Sequence, residues 1–301
     1  MDLATLWNIM MEALEALGAL YYPDMEQAAA QAGLPTPEWN NWLLAAMMFE
    51  PELPSARLLR TRAPYTSARL FDQRLANAAK KGFLALVAGA EHEYRLTELG
   101  RQAAESVIAA MHAKMATLQP MSPNDLERLA GLLHRLVISC LAAPEPPGKW
   151  YILHYRRMDP GEDASVVARI DQYGGDLAAF RDDAHLASWQ PHNIEGHVWE
   201  AFTCLWRGGA MTLGELYQKL EHRCYTRDEY GQTMEDLMQR GWVTEEAGIF
   251  QVTALGQEIR HTAEKLTDQY FYEPWSCLSQ AETEELQNLM MLLRAGLRAD
   301  S

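Results

Sequence analysis

One set of local signals occurs twice in this chain, about 157 residues apart, and that repetition narrows what the chain can fold into. The first copy occupies residues 55–100, SARLLRTRAPYTSARLFDQRLANAAKKGFLALVAGAEHEYRLTELG. Ser55 can cap a short helix, and Thr66 or Ser67 a second, because a hydroxyl oxygen satisfies the free amides of a first helical turn. Gly82 ends the second helix by accepting a left-handed conformation. FLALVA at 83–88 reads as a strand from its branched and aromatic content, 89–93 as a turn, and YRL at 94–96 as the returning strand. Thr97 then caps a new helix.

The second copy follows the same order. Residues 213–220 predict a short helix and 226–240 a longer one, with Thr226 and Glu229 spaced as a capping box. Gly241 stops it, WVT and IFQV form a hairpin around 245–248, and Thr253 caps the next helix. Gly82 and Gly241 are 159 residues apart, Gly100 and Gly256 are 156 apart, so the second hairpin is three residues shorter. Trp42 and Trp199, Ser122 and Ser279, Leu129 and Leu286, Leu132 and Leu289, and Leu136 and Leu293 are each 157 apart. The alternative is chance likeness between helical segments; caps, stops and hairpin recurring in one register favour a duplication. The expected layout is a first repeat at 1–143, a linker at 144–157 and a second repeat at 158–301. The expected fold is mainly α: a tandem winged helix-turn-helix with two small β-hairpin wings.

At 301 residues the chain can bury a substantial core. It has no run of about 18 consecutive apolar residues, the signature of a membrane-spanning helix. The N-terminal MDLATLWNIMMEALEAL lacks the basic start of a secretory signal. Cys140, Cys204, Cys224 and Cys277 are scattered without CxxC spacing, which points to thiols in a reducing cytoplasm. Net charge is −15, which opposes nonspecific binding to nucleic acid. The charge is uneven. Residues 55–82 hold Arg57, Arg60, Arg62, Arg69, Arg74, Lys80 and Lys81 against Asp72 alone. The matching 212–241 holds four cations against six acids.

Elsewhere, residues 3–20 predict a helix ended by Gly18 and Pro23, and 24–32 a short helix ended by Gly33. Thr36 and Pro37 start a helix whose Trp39, Trp42, Leu43, Met47 and Met48 read as core. Residues 101–118 and 123–141 form two long amphipathic helices, repeated at 257–270 and 281–297. These four helices are expected to bury their apolar stripes largely against each other. APEPPGK at 143–149 is linker, and 150–157 reads as a strand or an extended lead-in. Three helical pieces follow, beginning near Ala164, at LAAFRDDAHLASWQP and at 195–207.

RLTELGR at 95–101 resembles the strand-to-helix junction of MarR-type winged-helix regulators, and VTALGQE at 252–258 is a second copy. The resemblance covers most of each half. It implies a DNA-binding regulator of transcription, with one chain carrying both recognition helices and acting as a monomeric pseudo-dimer on double-stranded DNA. That family's wing usually carries an Asp and an Arg toward DNA; neither 89–93 nor 245–248 supplies an arginine. A weaker resemblance to the SalK-like regulators rests on Leu6-Trp7, YYPD at 21–24, AGL at 32–34 and FRDDAHLASW at 180–189.

Two groups of side chains are candidates for function. Arg69, Gln73 and Lys80 lie near one face of the helix at 67–81, with Ser67 at its start and Arg74 flanking. Arg57, Arg60 and Arg62 precede it. Long donors near a recognition helix's N-terminus reach base edges and phosphates; the plain alternative is a solvated basic face. Arg181, Asp182, His185 and Trp189 form the second group, read as a structural Asp182–His185 pair, a small-molecule effector pocket, or a metal or catalytic site lacking a third ligand. No Gly-rich phosphate loop, GxSxG or HExxH occurs, so no cofactor, metal or enzymatic activity is expected. The competing class is a winged-helix protein that has lost DNA binding and holds a protein or small molecule.

Overall fold

The computed structural model describes residues 2–34, 39–89 and 92–299. Helices are α1 (Leu3–Gln31), α2 (Trp39–Phe49), α3 (Ala56–Arg62), α4 (Ala68–Lys80), α5 (Glu98–Ala116), α6 (Pro123–Ala142) and α7 (Trp150–Tyr155). They continue as α8 (Val166–Trp189), α9 (Gly196–Trp206), α10 (Leu213–Leu220), α11 (Arg227–Gln239), α12 (Ala254–Tyr272) and α13 (Gln280–Ala299). Two antiparallel hairpins complete the described fold, β1 (Leu84–Leu86) with β2 (Tyr94–Leu96) and β3 (Val243–Glu246) with β4 (Ile249–Val252). The chain is mainly helical. The expected helix start at Thr36 and Pro37, and the side chains of Trp39, Trp42 and Leu43, lie outside the described residues, as do Ala90 and Glu91 of the first wing turn.

The chain forms two compact units, each assembled from discontinuous segments. Unit 1 comprises Met1–Glu50, Glu98–Ala184 and Asp268–Ser301. Here α1 packs against α5 and α13, and α6 packs against α13. Leu6, Met10 and Leu17 of α1, Leu129, Leu132 and Leu136 of α6, and Leu286 and Leu293 of α13 are fully buried. Each such side chain contributes about 1.5–3 kcal/mol of burial. The stripes of α5 and α13 are thus shared with α1, which the expected four-helix packing omits. α1 reaches the length and mean hydropathy of a membrane span, yet its Leu6–Met10–Ala13–Leu17 face is core.

Three local readings of the sequence differ from the structure: the helix end at Gly18 and Pro23, the separate helical pieces from Ala164 to Pro191, and the extended lead-in at 150–157. α1 runs through Pro23 to Gln31; proline leaves one carbonyl without its helical donor, a loss a long packed helix absorbs. α8 runs unbroken through Gly174 and Gly175. Those glycines serve close approach instead: a Cβ at Gly174 would lie 2.6 Å from Leu14, and one at Gly175 2.4 Å from Tyr155. Residues 150–155 are helical rather than extended because the buried Asp183 carboxylate accepts the Tyr151 and Ile152 amides at 2.8 and 3.0 Å. That supplies the first-turn amides with the acceptor a cap would give.

Unit 2 comprises Pro51–Thr97 and His185–Thr267. α3 packs on α4 and α10 on α11, each pair followed by its hairpin. The core gathers Trp189, Trp199, Phe202, Tyr230, Met234, Leu237, Trp242 and Val243. The backbone closes both helix-hairpin junctions in the same way. Gly82 and Gly241 take positive φ of 82° and 71°. Phe83 N–H donates to the Ala78 carbonyl at 3.1 Å, and Trp242 N–H to the Leu237 carbonyl at 3.0 Å. The Thr97 hydroxyl donates to the Gly82 carbonyl at 2.6 Å, and that of Thr253 to the Gly241 carbonyl at 2.7 Å. The second wing turns at Ala247 and Gly248, both at positive φ, as a two-residue hairpin turn requires.

Candidate nucleic-acid interface

The basic side chains singled out from the sequence sit on α3 and α4, and the structure joins several of them to α9 and α11. Arg57 is exposed and Arg62 is half-buried. Arg60 donates from Nη2 to Glu195 Oε2 at 2.9 Å. Ser67 is the N-cap of α4, but its hydroxyl caps nothing; its backbone N–H donates to the Arg223 carbonyl at 2.9 Å. Arg69, in the first turn of α4, donates from Nη2 to Glu229 Oε2 at 2.6 Å and to the Cys224 carbonyl at 2.9 Å. Gln73 and Lys80 are exposed. Arg74 is half-buried, and its Nε is enclosed with no partner among the described residues.

The acceptors are held in place by local structure. Glu195 is the N-cap of α9. Cys224 takes a left-handed φ of 61° after the short 3-10 turn at Glu221–Arg223. Glu229 closes a capping box with Thr226, accepting its amide at 2.6 Å and its hydroxyl at 2.9 Å. The same oxygen takes Arg69. The Arg69 hydrogen bond, with Thr226 beside it, holds the Glu229 carboxyl down at about 2, and the Arg69 pKa is raised in return. Arg223 ties the arrangement together. It grips Glu200 at 2.6–3.0 Å, reaches Thr66 Oγ1 at 3.4 Å, and lies 5.8 Å over the Tyr65 ring.

The approach is close at backbone level. A Cβ on Gly196, the first residue of α9, would stand 2.4 Å from the Pro64 carbonyl oxygen in the α3–α4 turn. So the start of α4 meets the first turn of α11 through the Arg69–Glu229 ion pair, and meets the turn before α11 through the Ser67–Arg223 and Arg69–Cys224 hydrogen bonds. Paired recognition helices that read successive major grooves sit about 34 Å apart. In this arrangement α4 and α11 present one joint surface, not two separated ones.

The second candidate group is accounted for residue by residue. Arg181 lies 3.6 Å from Asp268 and 5.4 Å over the Phe271 ring. Asp182 is exposed and His185 half-buried. Trp189 is a core residue, 2% exposed, stacked on Trp199 at 5.7 Å. Their neighbour Asp183 has the clearest job, at the start of α7, and burial pushes its carboxyl up to about 7. Among the described residues no three His, Cys, Asp or Glu side chains group as metal ligands.

Sequence reasoning missed Glu195, Glu229 and the Cys224 carbonyl as partners of the basic set. The Thr226–Glu229 box was visible; its second use was not. It also missed Arg260, fully buried between the rings of Trp199 at 4.4 Å and Trp206 at 4.8 Å, with Glu264 as ion-pair partner. The signal was available: Trp199 and Trp206 are seven residues apart, two turns along one helix face.

With this geometry in hand, comparison with known proteins adds one finding. The profile of a helix-turn-helix family matches residues 179–301. That match supports a helix-turn-helix domain in the second half, over the stretch that holds α10, α11 and their hairpin. No curated protein and no solved structure matches.

Proposed function

We propose that the chain is a cytoplasmic regulator of transcription that binds double-stranded DNA through tandem MarR-like winged helices, acting as a monomeric pseudo-dimer with a small-molecule effector. The observation that carries this reading is the helix-turn-helix match at 179–301, whose α10–α11–hairpin order and junction hydrogen bonds recur at α3–α4–hairpin. Equal element lengths support the duplication: α4 and α11 have 13 residues, α5 and α12 have 19, α6 and α13 have 20. Exposed Arg57, Gln73 and Lys80 supply the DNA-facing donors.

A second reading has its own observation. Arg60 and Arg69 are occupied by Glu195 and Glu229, which favours a winged-helix module that has given up DNA for a protein or small-molecule ligand. Selection from a random duplex pool at low and moderate salt separates the two. A DNA-binding chain enriches a sequence class, and its affinity falls with salt by a log–log slope of about 0.9 per phosphate contact. A chain that enriches nothing at low salt is the second kind.

A further inference from the structure

Glu229 is an acceptor prepared before any partner arrives. The capping box fixes its Oε2 at the first turn of α11, and that atom meets the guanidinium of Arg69 at the first turn of α4. Glu195, at the head of α9 and without a capping bond of its own, accepts from Arg60 at 2.9 Å. Both arginines are on the helix pair with the strongest basic excess. A carboxylate and a phosphate diester offer arginine the same thing, an anionic oxygen pair matched to its planar fork. Gly196, the residue after Glu195, allows the contact to close at backbone distance.

We propose that this contact is an autoinhibitory lock on the DNA-binding surface, in which Glu229 and Glu195 are internal surrogates for DNA phosphates. The proposal rests on the DNA-binding reading and deepens it. While the lock is closed, Arg69 and Arg60 are occupied, and the starts of α4 and α11 cannot enter separate grooves. Duplex DNA opens it by offering phosphates in place of the two carboxylates. Acid does not release Arg69 in any ordinary pH range, because the Arg69 hydrogen bond holds the Glu229 carboxyl down at about 2. The trigger is thus a competing polyanion, and the lock lowers the salt sensitivity of binding, because an arginine already paired with a carboxylate has no counterion to release.

The test is a set of four proteins titrated with the duplex pool by fluorescence anisotropy across a salt series: wild type, Glu229→Gln, Glu235→Gln and Arg69→Ala/Glu229→Gln. Glutamine keeps the capping-box acceptor and removes the charge. Glu235 is an exposed acid on the same helix, so its variant measures the gain from lost repulsion alone. Exposed ion pairs are worth up to about 1 kcal/mol, a factor of about five. Glu229→Gln is therefore expected to bind about 2–5-fold tighter than wild type, with a log–log salt slope steeper by about 0.9. Glu235→Gln gains less, and the gain from Glu229→Gln vanishes when Arg69 is absent. In the free protein, exchange of the Ser67 amide, held by the Arg223 carbonyl, is slow and is faster in Glu229→Gln. Gly196→Ala, which wedges the same contact, moves both readouts the same way. If wild type binds and Glu229→Gln gains no more than Glu235→Gln, the lock is wrong and the DNA reading stands. If the Ser67 amide exchanges freely in wild type, the lock is likewise wrong. If no protein in the set retains DNA at low salt, the DNA reading itself fails.

Discussion

Gly256 is the glycine of the Leu-Thr-x-x-Gly-like stretch at 252–258, and its role can be worked from distances. A Cβ there would lie 2.3 Å from the Trp242 carbonyl oxygen and 2.8 Å from Val252 Cγ1. Ordinary contact begins near 3.4 Å, so about 1 Å of separation has to be found. The carbonyl cannot swing away freely, because it accepts the Thr253 amide at 3.0 Å and so ties the hairpin to the start of α12. Overpacking of this kind costs about 1–3 kcal/mol, and a backbone obstacle belongs at the upper end. Alanine returns up to about 1 kcal/mol of helix propensity. Gly256→Ala is thus expected to lose about 2 kcal/mol, a fall in melting temperature of about 4–8 °C at this size. Gly231 is the control. It lies inside α11 with nothing nearer its absent Cβ than Leu213 at 3.9 Å, so Gly231→Ala gains about 0.5–1 kcal/mol. Thermal melts followed by far-ultraviolet circular dichroism measure both. A Gly256→Ala protein melting at or above wild type would refute the packing account of this glycine.

Other outcomes follow from buried charge. Burial pushes Asp183 up to about 7, whereas an unfolded Asp titrates at about 3.9. Between those values the folded chain holds a proton the unfolded chain has released, so this group's contribution to stability falls as pH rises from about 4 to about 7. Urea midpoints of Asp183→Asn should fall less with pH than those of wild type across that window; parallel profiles would remove the assignment. Arg260→Lys keeps the charge between Trp199 and Trp206 but loses the flat guanidinium, and should cost about 1–2 kcal/mol with a red-shifted tryptophan emission. Unchanged stability and emission would show that the stacking contributes nothing.

Local signals were legible wherever the chain punctuates itself. The Ser55 and Thr226 caps, the stops at Gly82 and Gly241, and the two hairpins follow from residue type at short range. What misled were punctuation residues overruled by packing. Gly18 and Pro23 read as a helix end, and residues 164–189 as two helical pieces; only the neighbours Leu14 and Tyr155 reveal why Gly174 and Gly175 sit inside one unbroken helix. The candidate interface was legible as charge and not as pairing. Nothing local to Arg69 says that Glu229, 160 residues on, will take its guanidinium. Nor does the composition of 55–82 show which of its cations are already spent.

The pairing also gives the uneven charge a cause other than DNA. An isologous contact near a two-fold axis sets a position against its own copy. On the tandem reading, Arg128 corresponds to Glu285, 157 residues on, and the pair touches: Arg128 donates from Nε and Nη2 to Glu285 at 2.8 and 2.5 Å. In a homodimer, arginine at 128 would face arginine, and the repulsion would remain. Fusing two copies into one chain frees each to diverge, so a self-facing position can become positive in one half and negative in the other. On the same tandem reading, basic α3–α4 against acidic α11 is a further case of charge diverging between the two copies, whether or not DNA is ever bound. Charge exchange tests this. Arg128→Glu alone and Glu285→Arg alone each place like charges in contact and lower the urea midpoint; the double exchange restores it. If the double exchange is no more stable than the singles, the two side chains are neighbours without being partners, and the asymmetry needs another origin.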